Sequence, residues 1–389
     1  MSGENVNPCV HADICGGCVY QGVPYAEQLE MKNARVLELL LEYGVTCGSY
    51  TGAHPSPHTR AYRNKMEYSF GDEVKDGPMT LGLHRKKSYM SVLNTDGCLI
   101  VPDDFNTIRR ETLSYMTERG HSFRHKRTHS GFLRNLVVRR GENTGELLIN
   151  LVTADGETLD EAGFLGLLRS LDLDGKIVGI LHTTYCGRAD TVACDSVKTL
   201  YGQDFYHEHM LGLDFKVNAF SFFQTNTSAV EAMFASALAL LPDTSDKKIF
   251  DIYCGAGAIS LALAQSAREV VGIEISADSI LAARENAARN HIENCRFIEG
   301  DALEALDGLP ERPDVIVVDP PRMGVHPKAL KKIISYGVNE LIYISCNPKT
   351  FCENMAVLAA NDYKLDTLNV CDNFPFTKHI ELFSHIIKR

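Results

Sequence analysis

The sequence predicts an α/β chain: a doubly wound parallel sheet in the C-terminal part, a β-rich module ahead of it, and a cysteine loop in front of both. Three observations carry this. From about residue 217, strand-like runs alternate with helical runs of about 10–15 residues, the pattern of βαβ units. Between about 59 and 210 the runs are short, alternating or β-branched, and broken by Gly, Asp and Asn. Three cysteines crowd among glycines within the first 24 residues.

Taken in order, residues 1–24 are Cys- and Gly-rich and predict no regular structure. "YAEQLEMKNARVLELLLEYG" (25–44) has helical periodicity and stops at Gly44, a C-terminal signal. "KMEYSFG", "LGLHR", "NLVVRRG", "ELLINLVT" and "IVGILHTTY" predict an antiparallel sheet. After them, "KKIFDIYCGAGAISLALAQS" reads as strand, glycine loop and helix. "EVVGIEIS" and "ADSILAARENAARN" are the next strand and helix, and "CRFIEGD" is a third strand. "DVIVVDPPR" with "PKALKKIISY", and "ELIYISC" with "KTFCENMAVLAA", continue the alternation; "YKLDTLNVC" and "HIELFSHIIK" close it with two strands. The division expected is 1–58 for the cysteine loop and linking helix, 59–210 for the β-rich module and 211–389 for the doubly wound domain.

At 389 residues, with 44% hydrophobic residues, the chain can bury a sizeable core. No run approaches the ~18 apolar residues of a membrane span, and the polar start "MSGENVNPCV" is no secretory leader. A cytoplasmic protein with no membrane partner is expected. In that compartment 12 cysteines speak for metal binding or catalysis over disulfides. Net charge is −11, yet residues 51–140 hold 16 Lys and Arg against 9 Asp and Glu. "RAYRNK" (60–65), "HRKK" (84–87), "RHKR" (124–127) and "FLRNLVVRR" (132–140) concentrate it. Basic clusters near Tyr62, Tyr68, Tyr89 and Phe132 suit a phosphate backbone with bases to stack.

"DIYCGAGAIS" (251–260) is a turn from strand to helix in which Gly255 and Gly257 let the backbone pass close to a ligand. Glu274 ends the next strand, 19 residues on, where an acid accepts from ribose hydroxyls. Asp301, closing the third strand, is placed to meet an adenine edge. G-A-G-A is short of the full dinucleotide fingerprint. Ribose and adenine without a pyrophosphate point to S-adenosylmethionine. "VVDPPR" (317–322) is a stiff segment at the crevice, because each residue before a proline is pushed to extended backbone. Arg322 stands after the two prolines, where an aromatic residue would serve amine methylation, so the acceptor needs another activation.

Cys346, at the end of "ELIYISC", supplies one. A pyrimidine C5 is a poor nucleophile; a thiolate added at C6 produces an enolate that can attack an electrophilic methyl. Asn347-Pro348 turns the chain out of the strand before the next helix. A base must then remove the C5 proton, and Glu381, a carboxylate in an otherwise apolar final strand, is the candidate. In "CVHADICGGC" the spacing Cys9-x5-Cys15-x2-Cys18 can wrap a metal centre, with Cys98 in "NTDGCLIVP" as the best-placed fourth thiolate. Four thiolates suit either a tetrahedral zinc or a [4Fe–4S] cluster.

"SFFQTN" (221–226), "DIYCGAGAISL", "VVGIEIS", "VVDPPRMG", "YISCNP" and "FPFTKHIE" occur in that order and resemble the RNA (uracil-5-)-methyltransferase family over nearly the whole chain. The resemblance implies that Cys346 is the nucleophile and Glu381 the base, and that Gln224, Tyr253, Glu274 and Asp319 line an S-adenosylmethionine pocket with Asp301 beside them. It makes Phe222 a candidate to stack on RNA, with packing in the core as the alternative. Its ribosomal-RNA branch implies a [4Fe–4S] cluster on Cys9, Cys15, Cys18 and Cys98 and a 23S ribosomal RNA partner; a monomer is expected. The β-barrel (TRAM domain) common at the start of that family is not expected, since Cys9 comes almost at once.

Overall fold

The computed structural model describes residues 9–189 and 192–389; the polar opening, residues 1–8, lies outside them. Helix α1 (Tyr25–Glu42) buries Gln28, Lys32, Val36, Leu39 and Leu40, a face of helical spacing. The chain reverses at Gly44, whose φ of 64° suits a residue without a Cβ. Strand β1 (Cys47–His54) follows.

The β-rich part contains β2 (Lys65–Asp72), β3 (Met79–His84), β4 (Val92–Asn94), α2 (Asp103–Glu118), β5 (Leu133–Arg140), β6 (Glu146–Thr153), α3 (Glu161–Ser170), β7 (Lys176–Thr184) and β8 (Ser196–Gly202). Its seven strands lie in the order β4-β3-β2-β5-β6-β7-β8. The antiparallel sheet expected from the sequence is a mixed one, because β6 and β7 run parallel with α3 as their crossover. Neither α2 nor α3 stands out in the sequence. In α2 the stripe Phe105, Ile108, Thr112, Tyr115, Met116 is thin among charges. In α3 two glycines weaken the helical pattern, and the Asp160 side chain, accepting from Gly163 N, caps it. A hairpin of β9 (Phe205–Met210) and β10 (Leu213–Asn218) comes next. Its two-residue turn, Leu211-Gly212, has φ of 57° and 73°, the conformation that matches strand twist.

The C-terminal part runs α4 (Thr227–Leu238), β11 (Lys248–Ile252), α5 (Ala258–Ala264), β12 (Glu269–Glu274), α6 (Ala277–Arg289), β13 (Cys295–Glu299), α7 (Ala302–Gly308), β14 (Val315–Val318), α8 (Pro327–Tyr336), β15 (Glu340–Ser345), α9 (Pro348–Ala359), β16 (Tyr363–Cys371) and β17 (Glu381–Lys388). Asn226, Ser276, Asp301, His326 and Asn347 cap their helices with side-chain acceptors. The eight-stranded sheet has the order β1-β16-β17-β15-β14-β11-β12-β13. β11 to β15 are parallel, and β17 is inserted antiparallel between β15 and β16. Order reverses on either side of β11, which places the ligand crevice at its carboxyl end, beside β12 and β14. β1 pairs parallel with β16, so the sheet's outer strand comes from the N-terminal part of the chain.

Two apolar cores cover the two faces of this sheet, and a third fills the β-rich part. The β9–β10 hairpin shares the first of them with α4 and β11. Phe376, from the link between β16 and β17, is buried in the third, with Phe374, Cys18 and Cys98 against it. Among the described residues no helix is long and apolar enough to cross a membrane.

Candidate active site

The glycine turn follows β11 directly. Tyr253, Gly255 and Gly257 all take positive φ, at 70°, 53° and 86°. A Cβ on Gly257 would lie 3.0 Å from the Phe297 ring, whereas one on Gly255 would meet nothing within 4 Å. Gly255 therefore faces open space, as a ligand cradle requires. Glu274 closes on the turn: its Oε2 accepts from Gly255 N at 3.2 Å and its Oε1 from Ser276 N at 2.9 Å. Below, the Ser260 hydroxyl donates to buried Asp251 Oδ2 at 2.5 Å, and burial pushes Asp251 up to about 7.

Asp301 sits two residues beyond β13, exposed, where its carboxylate caps α7 through Leu303 N at 2.9 Å. Its charge reaches the Tyr253 hydroxyl, which burial raises and the His326 backbone N–H lowers. Gln224 lies on the loop before α4. Asn64 anchors that loop, its Nδ2 donating to Gln224 O (3.2 Å) and Thr227 Oγ1 (2.9 Å). On the same loop Phe223 is buried and Phe222 is 72% exposed.

Cys346 and Glu381 meet through strand register. In the β15–β17 pair Ser345 stands opposite Leu382, so the antiparallel count carries Cys346 to Glu381. On its other side Glu381 stands opposite Cys371 of β16. Burial pushes Glu381 up to about 8, Asp319 pushes the same way, and Arg322 and Lys32 oppose. Burial likewise raises Asp319 to about 7. The Cys346 thiol is pushed up to about 11 by burial and by the carboxylates of Glu381 and Asp319, with Arg322 opposing. These carboxylates titrate near neutrality, in the range where a group can both accept and release a proton.

The Asn347-Pro348 step has two jobs. Asn347 Oδ1 caps α9 through Lys349 N at 3.1 Å, and its Nδ2 donates to Arg322 O at 2.8 Å. The turn that follows the thiol is thus tied to the turn that follows Asp319. Sequence reasoning missed Arg322 as a cation of the site; its place after Asp319-Pro320-Pro321 was the available signal. It also missed the buried pair of Lys32 and Asp372, 2.6 Å apart. The signal there was a lysine in register with Val36 and Leu39 on the apolar face of α1.

Cys9, Cys15, Cys18 and Cys98 line one cavity, walled by Leu83, Leu99 and Ile100. Burial raises Cys15, lifts Cys18 to about 11 and Cys98 to about 12, and neighbouring thiols add to each shift. Among the described residues no three His, Cys, Asp or Glu side chains form a ready single-ion site. The donor set nonetheless fits a thiolate-bound centre: four sulfurs with few competing donors, each of which a metal would hold deprotonated. Of the other cysteines, Cys254, Cys352 and Cys371 are buried and Cys186 and Cys194 exposed.

The aromatic residues expected to stack on bases divide. Tyr62, Tyr68 and Phe132 are core residues, at most 2% exposed, while Tyr89 is 69% exposed. Their apolar rings complete the inner face of the β-rich sheet, a use that clustering with basic residues does not reveal. The basic residues do gather: Arg124, Lys126, His129, Arg134 and Arg188 line one recess beside β2 and β5.

A doubly wound sheet of this order, with a glycine turn at its switch point and acids ending the adjoining strands, defines the methyltransferase-domain class. The family described as a methyltransferase domain matches residues 243–386. Relatives extend over almost the whole chain. An uncharacterized RNA methyltransferase of Clostridium acetobutylicum is 43% identical over 96% of this chain and 82% of its own length. One from Caldanaerobacter subterraneus is 42% identical over 97% and 84%. The chain belongs to this RNA methyltransferase family. Among solved structures it is similar to Pyrococcus abyssi tRNA (uracil-54, C5)-methyltransferase in complex with S-adenosyl-L-homocysteine, with a TM-score of 0.79 and 25% identity over 96% of this chain and 86% of that one.

Proposed function

We propose that this RNA methyltransferase transfers a methyl group from S-adenosylmethionine to C5 of a uridine in 23S ribosomal RNA, with Cys346 as nucleophile and Glu381 as base. The observation that carries the reading is the meeting of a thiol and a half-buried carboxylate at the carboxyl edge of β15, beside Asp319. S-adenosylmethionine, when bound, supplies an electrophilic methyl on its sulfonium. Gly255 and Glu274 would hold its ribose side, Asp301 and Tyr253 its base, and Gln224 and Asp319 the end nearer the acceptor.

The Cys346 thiolate adds to uridine C6, and the electron pair of the C5=C6 bond moves out to form an enolate. C5 then takes the methyl, leaving a saturated ring linked through Sγ. Glu381 removes the C5 proton; the freed pair restores C5=C6 and expels the Cys346 thiolate. The thiol must first lose its proton, and Asp319, raised by burial to about 7, is the carboxylate beside it that can take that proton and leave Glu381 ionised for the last step. The basic recess at Arg124, Lys126 and Arg188 supports a grip on phosphates by the β-rich part, with the target base turned out of its stack into the crevice. Cys9, Cys15, Cys18 and Cys98 would hold a [4Fe–4S] cluster with a structural or RNA-positioning part.

A transfer-RNA substrate is a second reading, favoured by the Pyrococcus neighbour, which acts on tRNA uracil 54. Mapping 5-methyluridine in ribosomal and transfer RNA from a deletion strain separates the two: the RNA that loses a site is the substrate. For the mechanism, RNA carrying 5-fluorouridine should remain covalently joined to the peptide bearing Cys346, since fluorine cannot leave as a proton. Cys346→Ala should bind the methyl donor and transfer nothing. Recovery of fluorinated RNA on another peptide would overturn the assignment.

A further inference from the structure

The buried face of α1 carries two polar side chains one helical turn apart. Gln28 is 0% and Lys32 2% exposed. A helix packed on a sheet normally buries apolar residues, and an ammonium taken out of water is costly unless paired. Both side chains reach the same short turn, residues 372–376, between β16 and β17. Gln28 Oε1 accepts from Phe376 N at 2.9 Å while its amide donates to Val23 O at 2.8 Å. Lys32 Nζ donates to Asp372 Oδ1 at 2.6 Å and Phe374 O at 3.2 Å. Phe376 is held at a φ of 65°, a left-handed conformation that a bulky residue keeps only when its surroundings impose it. Val19 N and Tyr20 N donate to Phe376 O at 2.9 and 3.0 Å, and the Tyr62 hydroxyl to Pro375 O at 2.9 Å.

This turn leads into β17 at Glu381, and its first residue, Asp372, follows Cys371, the cross-strand partner of Glu381. The groups facing Glu381 come from every neighbouring element: Asp319 and Arg322 after β14, Cys346 after β15, Cys371 on β16 with Asp372 just beyond, and Lys32 on α1. Arg322 is exposed and screened by water; Lys32 is buried and its charge is paired with Asp372, so its loss would leave Asp372 an unpaired anion in the turn that leads to Glu381. To take a proton Glu381 must be ionised, and burial and Asp319 both oppose that.

We propose that Gln28 and Lys32 are positioning residues for Glu381: by holding the 372–376 turn they fix the segment that leads into β17 at Glu381. The proposal rests on Glu381 being the base. Its consequence is confined to the last step: C5–H breaks, the proton passes to Glu381, and the electron pair expels the Cys346 thiolate. Formation of the adduct needs neither residue.

The test uses the full chain, RNA from a strain lacking the enzyme and donor labelled in the methyl group. Label that stays on denatured protein measures methylated adduct awaiting release. Lys32→Met should raise that label about tenfold at pH 7, a modest part of what a general base contributes, and shift the rise of release with pH upward. Lys32→Arg, which keeps the charge, should restore the wild-type profile. Gln28→Leu should accumulate adduct at every pH without moving the profile. Should Lys32→Met not fold, Gln28→Leu decides alone, since it leaves no charge unpaired. Wild-type label in both variants across pH, or slowed adduct formation with normal release, overturns the proposal. A wild-type chain that never links to fluorinated RNA overturns the reading of Cys346 itself, and this proposal with it.

Discussion

Cys346 and Glu381 illustrate what a residue's chemistry discloses before any coordinates exist. A thiol where a strand ends before Asn-Pro, and an acid in an apolar strand, are each costly in an ordinary core. Their juxtaposition is a matter of register, Ser345 opposite Leu382, which neither segment states alone. The pH response follows from the Glu381 carboxyl, held up to about 8. Under the proposed mechanism Glu381 is the base and acts only when ionised, so product release should rise with pH through about 8 and then level off, measured as single-turnover release of methylated RNA. Glu381→Gln should abolish that rise and slow release about 10²–10⁴-fold, the span of general base catalysis, leaving methylated RNA on the protein. Normal turnover by this variant would assign the base elsewhere. Arg322 and Lys32 were illegible at this scale, because a charged side chain in sequence does not say which carboxylate it will face.

At the scale of elements, the glycine turn after β11 concentrates strain and access. Gly257 is the N-cap of α5 at a φ of 86°, and a Cβ there would lie 3.0 Å from the Phe297 ring. Gly257→Ala should destabilise the chain by about 1–3 kcal/mol, the cost of forcing a side chain into left-handed backbone, and weaken donor binding as α5 shifts. Thermal unfolding and donor titration measure the two effects; an unchanged pair would mean the turn relaxes freely. The βαβ alternation from 248 to 359 was legible because β11, β12, β14 and β15 are apolar and largely buried and α6, α7 and α9 are capped by Ser276, Asp301 and Asn347. Helix α2 was not, since its apolar stripe is thin, nor was the parallel β6–β7 pair, since a ten-residue crossover with two glycines looks like a loop.

Across the whole molecule, three cores are joined by segments distant in sequence. β1 extends the sheet that β16 and β17 complete, and Phe376 leaves that sheet to join the β-rich core, against which Cys18 and Cys98 also pack. The chain directly after Cys18 is tied to the segment that leads to Glu381, since Val19 N and Tyr20 N donate to Phe376 O. Under the cluster reading, Cys15→Ser should lower iron per chain and the broad absorbance near 400 nm in anaerobic preparations, and lower the melting temperature with them. Unchanged iron content would place the ligands elsewhere.

By itself the sequence determined the alternating sheet and helices, the glycine turn, the thiol, the acids and the cysteine spacing. These are properties of short segments, set by local backbone preference and side-chain chemistry. Only the tertiary structure decided that β1 completes the C-terminal sheet, that three expected stacking aromatics are core, and that Lys32 pairs with Asp372 at the turn that leads to Glu381. Those depend on which surfaces bury together, a choice made by the packing of the whole chain and carried by no single stretch of it.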